Sequence, residues 1–201
     1  VTLLEKNLEF ELILMKLNGD QFKPEFLKLN PFHHIPVLVD EDFKIFESLA
    51  ILDYLEAKYP IPSFMPTDAK DIAKVRTIEL VTVNEFPPAS IILMKDMLDV
   101  PVEDKQIEKA KQTMATALQY FEENLDASSR YFIGEQFTYA DIVAGTAVAA
   151  IPLLGITLES YPKVSKWLAN LQQRDNWKQT APSPEDIEKS KAVMKAILQK
   201  R

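Results

Sequence analysis

The feature that most constrains the fold is a change of pattern on either side of the proline-rich stretch "PIPSFMPT", residues 60–67. Before it, short runs of branched and aromatic residues alternate with short helical patterns, which is typical of a mixed α/β unit. After it, the chain carries almost only helical periodicity. Because three prolines in eight residues interrupt a helix and stiffen the chain, we expect a domain boundary there. The sequence therefore predicts an α/β domain at 1–59, a linker at 60–67 and an all-helical domain at 68–201.

The α/β part carries signals for short helices and strands. "VTLLEKN" predicts the end of a helix that stops at Asn7, and "LEFELILM", residues 8–15, predicts a strand. "NGDQF" predicts a turn, and "PEFLKLN", which begins at Pro24, a short helix. "PVLVD" and "FKIF" predict an antiparallel hairpin. "SLAILDYLEAKY" predicts a helix with Ser48 as its N-cap and an end before Pro60.

The second part carries the signals of several helices. "DAKDIAKVRTIELVTVNEF" predicts a helix that Pro87 and Pro88 kink or break. Residues 103–126 repeat apolar side chains at i, i+3, i+4 and i+7, which predicts an amphipathic helix. Residues 138–141 have the form of a capping box, so Asp141 is predicted to be structural. "YPKVSKWLANLQQRDNW" and "SPEDIEKSKAVMKAILQK" predict two further helices.

Charge and cysteine content exclude several classes of function. The net charge is −7 and no basic run occurs, so we expect no nucleic-acid partner. The chain has no cysteine, which excludes disulfides and thiolate metal sites and agrees with a reducing compartment such as the cytoplasm. The uncharged run from Ile142 to Leu158 is short and interrupted by glycine and proline, so it predicts a buried helix and no membrane partner.

Several groups suited to ligand binding lie close together around the predicted hairpin. The Ile35-Pro36 bond is either an ordinary trans bond or a cis bond that leaves the main chain of Ile35 free to pair with a peptide-like ligand. Ser48 is either a plain N-cap or part of a helix start whose free amides attract a carboxylate, since no acid follows three residues later. Glu47 beside it can accept an ammonium group.

His33 and His34 precede the Ile-Pro bond. Adjacent histidines seldom direct both rings at one ion, and no third ligand is near, so we expect no metal site. They form either a surface turn or a pair of hydrogen-bonding groups for a carboxylate. With Ile35, Glu47 and Ser48, they would suit a peptide with an amino-acid head at one end and a carboxylate at the other.

The stretch "NPFHHIPVLVDEDFKIFESLAILDYLEAKYP" resembles the glutathione-binding half of cytosolic glutathione transferases. "FTYADIVAGTAV" and "YPKVSKWLANLQQRDNW" resemble the helical domain of the same family, so the resemblance covers nearly the whole chain. It implies a thioredoxin-like domain followed by an all-α domain, a cytoplasmic location and a homodimer. The implied activity is detoxification, in which the thiolate of glutathione, the co-substrate, attacks small and mostly apolar electrophiles.

The resemblance also implies which residues hold glutathione. Ile35-Pro36 would be a cis bond, with the main chain of Ile35 pairing with the cysteinyl part. Glu47 and Ser48 would hold the γ-glutamyl head. The residues implied to bind glutathione are His33, His34, Ile35, Pro36, Glu47 and Ser48.

The glycine carboxylate of glutathione would meet one of the two histidines. The histidine in the place of His33 has this role in insect-type members, and a polar residue in the place of His34 has it in plant-type and theta-type members. Leu49 departs from the arginine often found there in insect-type members, so the resemblance leaves the class open.

The resemblance places the electrophile in an apolar pocket between the domains, for which we predict Phe86, Pro88 and Met94. In the family, the catalytic Ser, Tyr or Cys lies in a loop between the first strand and the first helix. "VTLLEKN" matches the end of that helix, so the first strand and the catalytic residue are expected upstream of Val1, and no residue of this chain is assigned to catalysis.

Two alternatives remain open within the resemblance. The first is a non-catalytic interaction module like that in the gamma subunit of a translation elongation factor. The second is a glutathione-dependent reductase or isomerase. The residue in the upstream loop would distinguish them, since Ser or Tyr favours conjugation, Cys favours thiol exchange and an apolar residue favours a binding module.

Overall fold

The structure is a computed structural model that describes residues 1–16 and 19–199. It contains two compact units, Thr2–Ser63 and the chain from Phe64 onwards. The first is a thioredoxin-like unit with a two-stranded sheet and helices, and the second is helical, so the predicted fold class is confirmed. The limits given above for domains and linker stay predictions. The predicted turn "NGDQF" lies partly outside the described residues.

The N-terminal unit consists of short helices, a hairpin and one longer helix. The chain leaves its first helix through Asn7, whose φ of 51° ends the helical conformation as predicted. The elements are α1 (Thr2–Glu5), a 3-10 turn (Asp20–Phe22), α2 (Pro24–Leu27), β1 (Val37–Asp40), β2 (Phe43–Phe46) and α3 (Ser48–Lys58).

The hairpin is the element that organises this unit. β1 and β2 are antiparallel, with Val37 opposite Phe46 and Asp40 opposite Phe43. The residue that precedes β1 and the residue that follows β2 therefore lie at the same end of the hairpin. One face of β2 is anchored by Ile45, which belongs to a buried apolar cluster with side chains of α3.

The other end of the hairpin is tied to α3 by polar contacts. The Tyr54 hydroxyl donates a hydrogen bond of 2.7 Å to Asp40, and the Lys58 ammonium forms an ion pair with the same carboxylate. Lys58, and after it Tyr54, hold the pKa of Asp40 below its usual value. These contacts fix the hairpin on α3 without using the end where the candidate binding groups lie.

The predicted strand at residues 8–15 is wrong. In the described part of the chain the only sheet pairs β1 with β2, and residues 8–16 take no part in it. Leu12, Ile13 and Leu14 are 70%, 73% and 83% exposed. The residue pattern has high strand propensity, but a strand forms only when a neighbouring strand pairs with its main chain.

The C-terminal unit is a bundle around a buried aromatic core. The helix predicted at 103–126 is confirmed, and its Phe121 stacks on Phe86 with ring centroids 5.5 Å apart. The elements are α4 (Ala69–Met97), α5 (Asp104–Asn124), α6 (Tyr139–Ala150), a 3-10 turn (Ile151–Leu154), α7 (Pro162–Gln172), α8 (Asp175–Thr180) and α9 (Pro184–Leu198).

The predicted break at Pro87 and Pro88 does not occur, because α4 continues through both prolines. Each proline removes the amide that would bond the carbonyl four residues earlier, which normally disrupts a helix. Here both rings face solvent, while Phe86, Ala89 and Leu93 on the opposite side are buried in the core. We infer that burial of this face offsets the lost hydrogen bonds.

The segment predicted as one helix after Pro162 forms two, α7 and α8, because Arg174 between them has extended backbone angles. Trp177 of α8 packs against Gly145 in the middle of α6. A Cβ added at Gly145 would lie 2.5 Å from the Trp177 ring and 2.6 Å from Leu171. α6 is largely buried, but the buried helix predicted for Ile142 to Leu158 ends at Ala150 and is followed by the 3-10 turn Ile151–Leu154, where Leu153 is exposed. None of the described helices has the length and apolarity needed to span a bilayer.

The predicted capping box of α6 is confirmed and is part of a buried network. The Asp141 carboxylate accepts hydrogen bonds from the main chain and hydroxyl of Thr138, from the amide of Phe132 and from the indole of Trp167. Burial raises the pKa of Asp141, and these donors oppose the rise. Asp141 therefore joins three segments of the helical unit, which is a structural role.

The start of α7 is closed by a side chain from another helix. Glu122 of α5 is 8% exposed, and its carboxylate accepts the amides of Lys163 and Val164 at distances of 2.9–3.1 Å. These amides lie in the first turn of α7, where the helix itself supplies no acceptor. Glu122 thus acts as an N-terminal cap provided by tertiary structure.

Candidate functional site

The turn that carries the two histidines is held by a buried asparagine. Asn30 is fully buried, its side-chain NH2 donates to the carbonyl of His34 (2.9 Å), and its side-chain oxygen accepts the amide of Phe32 (2.9 Å). The amide of His33 donates to the carbonyl of Asn30 at 3.1 Å. His33 has a φ of 51°, a conformation that few side chains adopt without such support. The turn therefore presents both imidazoles to solvent from a fixed backbone.

The Ile35-Pro36 bond is cis, which is one of the two isomers that the sequence left open. It lies directly before β1, so the hairpin register places it beside the residue that follows β2, which is Glu47. No hydrogen bond joins the main chain of Ile35 to another residue that the structure describes. The structure thus brings together the groups that the sequence had placed 11 residues apart.

The start of α3 differs from the prediction. Ser48 is the first residue of the helix and Glu47 is its N-cap, so the prediction of Ser48 as the N-cap is wrong by one position. The reason is that Ile51 bonds to the carbonyl of Glu47, which makes Glu47 the last residue outside the helix. No side chain caps the helix from this position, and Glu47 has a φ of 71°. The amides of the first turn are therefore open to a ligand.

The two histidine rings have different neighbours. The rings are 5.6 Å apart and nearly perpendicular. Nδ1 of His34 lies 3.9 Å from a carboxylate oxygen of Glu47, and both side chains are about two-thirds exposed, at 66% and 67%. The ring of His33 lies against Phe22 instead, with centroids 4.8 Å apart. His34 therefore lies on the Glu47 side of the turn, and His33 on the Phe22 side.

We name this arrangement the cradle: the 30–36 turn, Glu47 and the first turn of α3. It combines a carboxylate, free helix amides, free main-chain groups and two imidazoles. A carboxylate accepts hydrogen bonds from an ammonium, and helix amides donate hydrogen bonds to a carboxylate. The cradle can therefore bind an extended, zwitterionic peptide. In the described residues, no cluster of three or more His, Asp or Glu side chains is arranged to hold a metal ion.

The residues predicted to line an electrophile pocket all lie on α4. Phe86 is 3% exposed and contributes its ring to the core. Pro88 is exposed and Met94 is half-buried. Their role stays a prediction.

Comparison with known proteins finds two family models along the chain. Residues 1–57 match the family model "Glutathione S-transferase, N-terminal domain", and residues 54–175 match "Glutathione S-transferase, C-terminal domain". A glutathione S-transferase from Hyoscyamus muticus is 31% identical over 192 residues, which is 88% of this chain and 87% of the relative.

Solved structures support the comparison. Poplar glutathione transferase F1 superposes with a TM-score of 0.76 at 29% identity, over 96% of this chain and 90% of that one. A maleylacetoacetate isomerase from Methylobacterium extorquens AM1, solved with malonate and glutathione bound, gives a TM-score of 0.75 at 26% identity, over 90% and 92%. The chain belongs to the glutathione S-transferase family. The resemblance stated from the sequence, and with it the assignment as a glutathione transferase, is confirmed.

Two residues that shape the cradle, Asn30 and Phe22, were not predicted from the sequence. Asn30 was noticed only as part of an Asn-Pro pair, although its side chain holds the histidine turn. Phe22 gave no signal, because its contact with His33 joins residues that are 11 positions apart through tertiary structure. An asparagine directly before a proline is a turn signal that could have indicated Asn30.

Proposed function

We propose that the cradle binds glutathione in an extended form. Glu47 accepts hydrogen bonds from the ammonium of the γ-glutamyl head, and the Ser48 hydroxyl and the first-turn amides of α3 donate to its carboxylate. The main chain of Ile35, ahead of Pro36, pairs with the cysteinyl unit in β-fashion. Membership of the family and the isomerase relative solved with glutathione bound support this ligand.

The observation that carries the proposal is the open start of α3 beside Glu47. A carboxylate next to unoccupied helix amides offers opposite charges about one residue apart, which matches an α-amino acid head. Glu47 also keeps an unusual backbone conformation, with a φ of 71°. Such strain persists at ligand sites when the surrounding fold supports it.

In the proposed reaction, the thiolate of bound glutathione attacks an electrophilic carbon and displaces its leaving group. We assign no residue of this chain to stabilising the thiolate. For contact with the electrophile, Pro88 and Met94 remain our candidates because they are not wholly buried. Phe86 is buried, so it would shape the pocket only by supporting the residues packed on it.

A titration with glutathione tests the ligand assignment. We expect Glu47→Gln and Ser48→Ala each to weaken binding by about tenfold or more, since each removes a hydrogen bond to a charged group. Glu41→Gln is the matched control, because Glu41 is also an exposed acid with positive φ in the same unit, at the far end of the hairpin. Isothermal titration calorimetry measures the three affinities. Unchanged affinity in both cradle variants would remove the assignment.

A second candidate is glutathione-dependent isomerisation, which the similarity to the bacterial maleylacetoacetate isomerase favours. Both activities use the same glutathione site, so binding data do not separate them. Assaying the protein with maleylacetoacetate and with an aryl halide separates them directly.

We also propose that the protein is a cytoplasmic homodimer. The absence of cysteine suits a reducing compartment. On α4, Leu80 and Ile91 are 50% and 40% exposed, an apolar surface that a second copy of the chain would cover. Light scattering that gives the mass of one chain would contradict the dimer.

A further inference from the structure

Phe22 is an exposed aromatic residue whose ring contact lies inside the cradle. It ends the 3-10 turn at Asp20–Phe22, and 53% of its surface is exposed. Its ring lies 4.8 Å from the ring of His33, with the planes tilted by 51°. Tilted aromatic pairs at this separation attract each other beyond simple burial. Because Phe22 is largely exposed, packing in the core does not account for the position of its ring. Its contact with the His33 imidazole does.

The surroundings of the two histidines separate their roles. His34 has a carboxylate 3.9 Å from its Nδ1, that of Glu47. A second carboxylate brought to His34 would be repelled by Glu47. His33 has no acid among the contacts described for it and faces an aromatic ring instead. His33 is therefore the better partner for the carboxylate at the far end of a peptide ligand.

The main chain of His33 is held in place, but this does not determine the rotamer of its side chain. Asn30 holds the turn through its side chain and its carbonyl. An exposed histidine still rotates about two side-chain bonds, and holding one rotamer costs conformational entropy at the moment of binding. A neighbouring ring that selects one rotamer beforehand removes part of this cost.

From this geometry we infer that Phe22 is a positioning residue that orients His33 toward the C-terminal carboxylate of the ligand. This inference rests on the proposed glutathione site and extends it to a residue outside the sequence motif. Phe22 does not touch the reacting atoms, and it acts only through His33. It consequently sets how strongly the protein prefers the free acid of the tripeptide over the same tripeptide with a C-terminal amide.

The experiment compares the affinity of glutathione with that of its C-terminal amide by calorimetry. We expect the wild-type protein to prefer the acid, and Phe22→Leu to reduce this preference by about 2- to 10-fold, the range that corresponds to an aromatic pair. Phe22→Tyr keeps the ring and should restore the preference. Phe43→Leu is the matched control, because Phe43 is 57% exposed and its ring pairs with Tyr54 at 5.4 Å, at the opposite end of the hairpin.

The possible results distinguish failure of the proposed glutathione site from failure of the role inferred for Phe22. If the wild type binds neither ligand, the proposed glutathione site fails, and the role of Phe22 fails with it. If the wild type prefers the acid and Phe22→Leu keeps that preference, or weakens both ligands equally, the inference is overturned while the site stands. If the preference falls in Phe22→Leu but no longer changes when His33 is first replaced by Ala, Phe22 acts through His33 as inferred.

Discussion

Two helix starts in this chain treat their free amides in opposite ways. At α6, Thr138 and Asp141 close the first turn, and Asp141 is fully buried among four donors. At α3, Glu47 occupies the N-cap but its side chain makes no cap hydrogen bond and stays about two-thirds exposed, at 67%. The closed start joins segments of the fold, whereas the open start leaves donors available for a ligand.

The other long helices agree with the closed pattern. Asp68 caps α4, Glu103 and Gln106 form a capping box at the start of α5, Glu122 closes α7 from α5, and Ser183 caps α9. Within residues 1–16 and 19–199, α3 is thus exceptional among helices of comparable length, because its first turn has no side-chain acceptor. A helix start that forgoes about 1 kcal/mol of capping is a reasonable place to look for function.

The largest expected effect concerns the closed start of α6. Asp141→Ala removes the acceptor of four buried donors, so we expect the free energy of unfolding to fall by about 3–5 kcal/mol. The matched control is Asp186→Ala in the exposed capping box of α9, which should cost about 1 kcal/mol. Urea unfolding followed by circular dichroism measures both. Equal losses of unfolding free energy in the two variants would mean that burial of Asp141 does not strengthen its capping role.

A smaller effect is expected at α7, whose start is closed from a distance. Glu122→Gln keeps the shape of the side chain but removes the charge that accepts two first-turn amides, which should cost about 1.5–3 kcal/mol. Glu123→Gln, one residue further along the same helix, changes an exposed group and should stay within about 0.5 kcal/mol. The same unfolding assay decides. A neutral Glu122→Gln would mean that the negative charge of Glu122 adds nothing to the cap of α7.

The smallest effect tests the open start itself. Ala50 is exposed in the first turn of α3, and Ala50→Glu would place a carboxylate near the free amides. We expect about 0.3–1 kcal/mol of added stability and, because the new charge competes with the ligand, glutathione affinity weakened by about 2- to 5-fold. Ala50→Gln should change neither by as much. Added stability without any loss of affinity would show that the ligand does not use this helix start.

The parts of the fold that were predicted correctly from the sequence depend on short-range signals. The hairpin at 37–46, the helix that follows it and the capping box before α6 are each encoded within a few neighbouring residues. The N-cap of α3 is Glu47 and not Ser48 as predicted, because the sequence pattern does not fix the start of a helix to a single residue. In the cradle, the ligand-binding candidates came from the resemblance of the sequence to glutathione transferases. They stay predictions until binding is measured.

The errors came from long-range packing. Residues 8–15 have the composition of a strand but no paired neighbour in the described chain. Pro87 and Pro88 do not end α4, because the buried side chains around them hold the helix in the core. Phe22 could not be found for the same reason, since its contact with His33 is created by the fold.

The tight contact between Gly145 and Trp177 restricts how this family member can change during evolution. Any side chain at 145 would collide with the indole ring and with Leu171, so replacing the glycine first should be harmful. A smaller residue at 177, together with a shift of the flexible end of the Leu171 side chain, would open the space that a methyl group at 145 could fill. The two positions should therefore drift as a pair, with the tryptophan exchanged before the glycine.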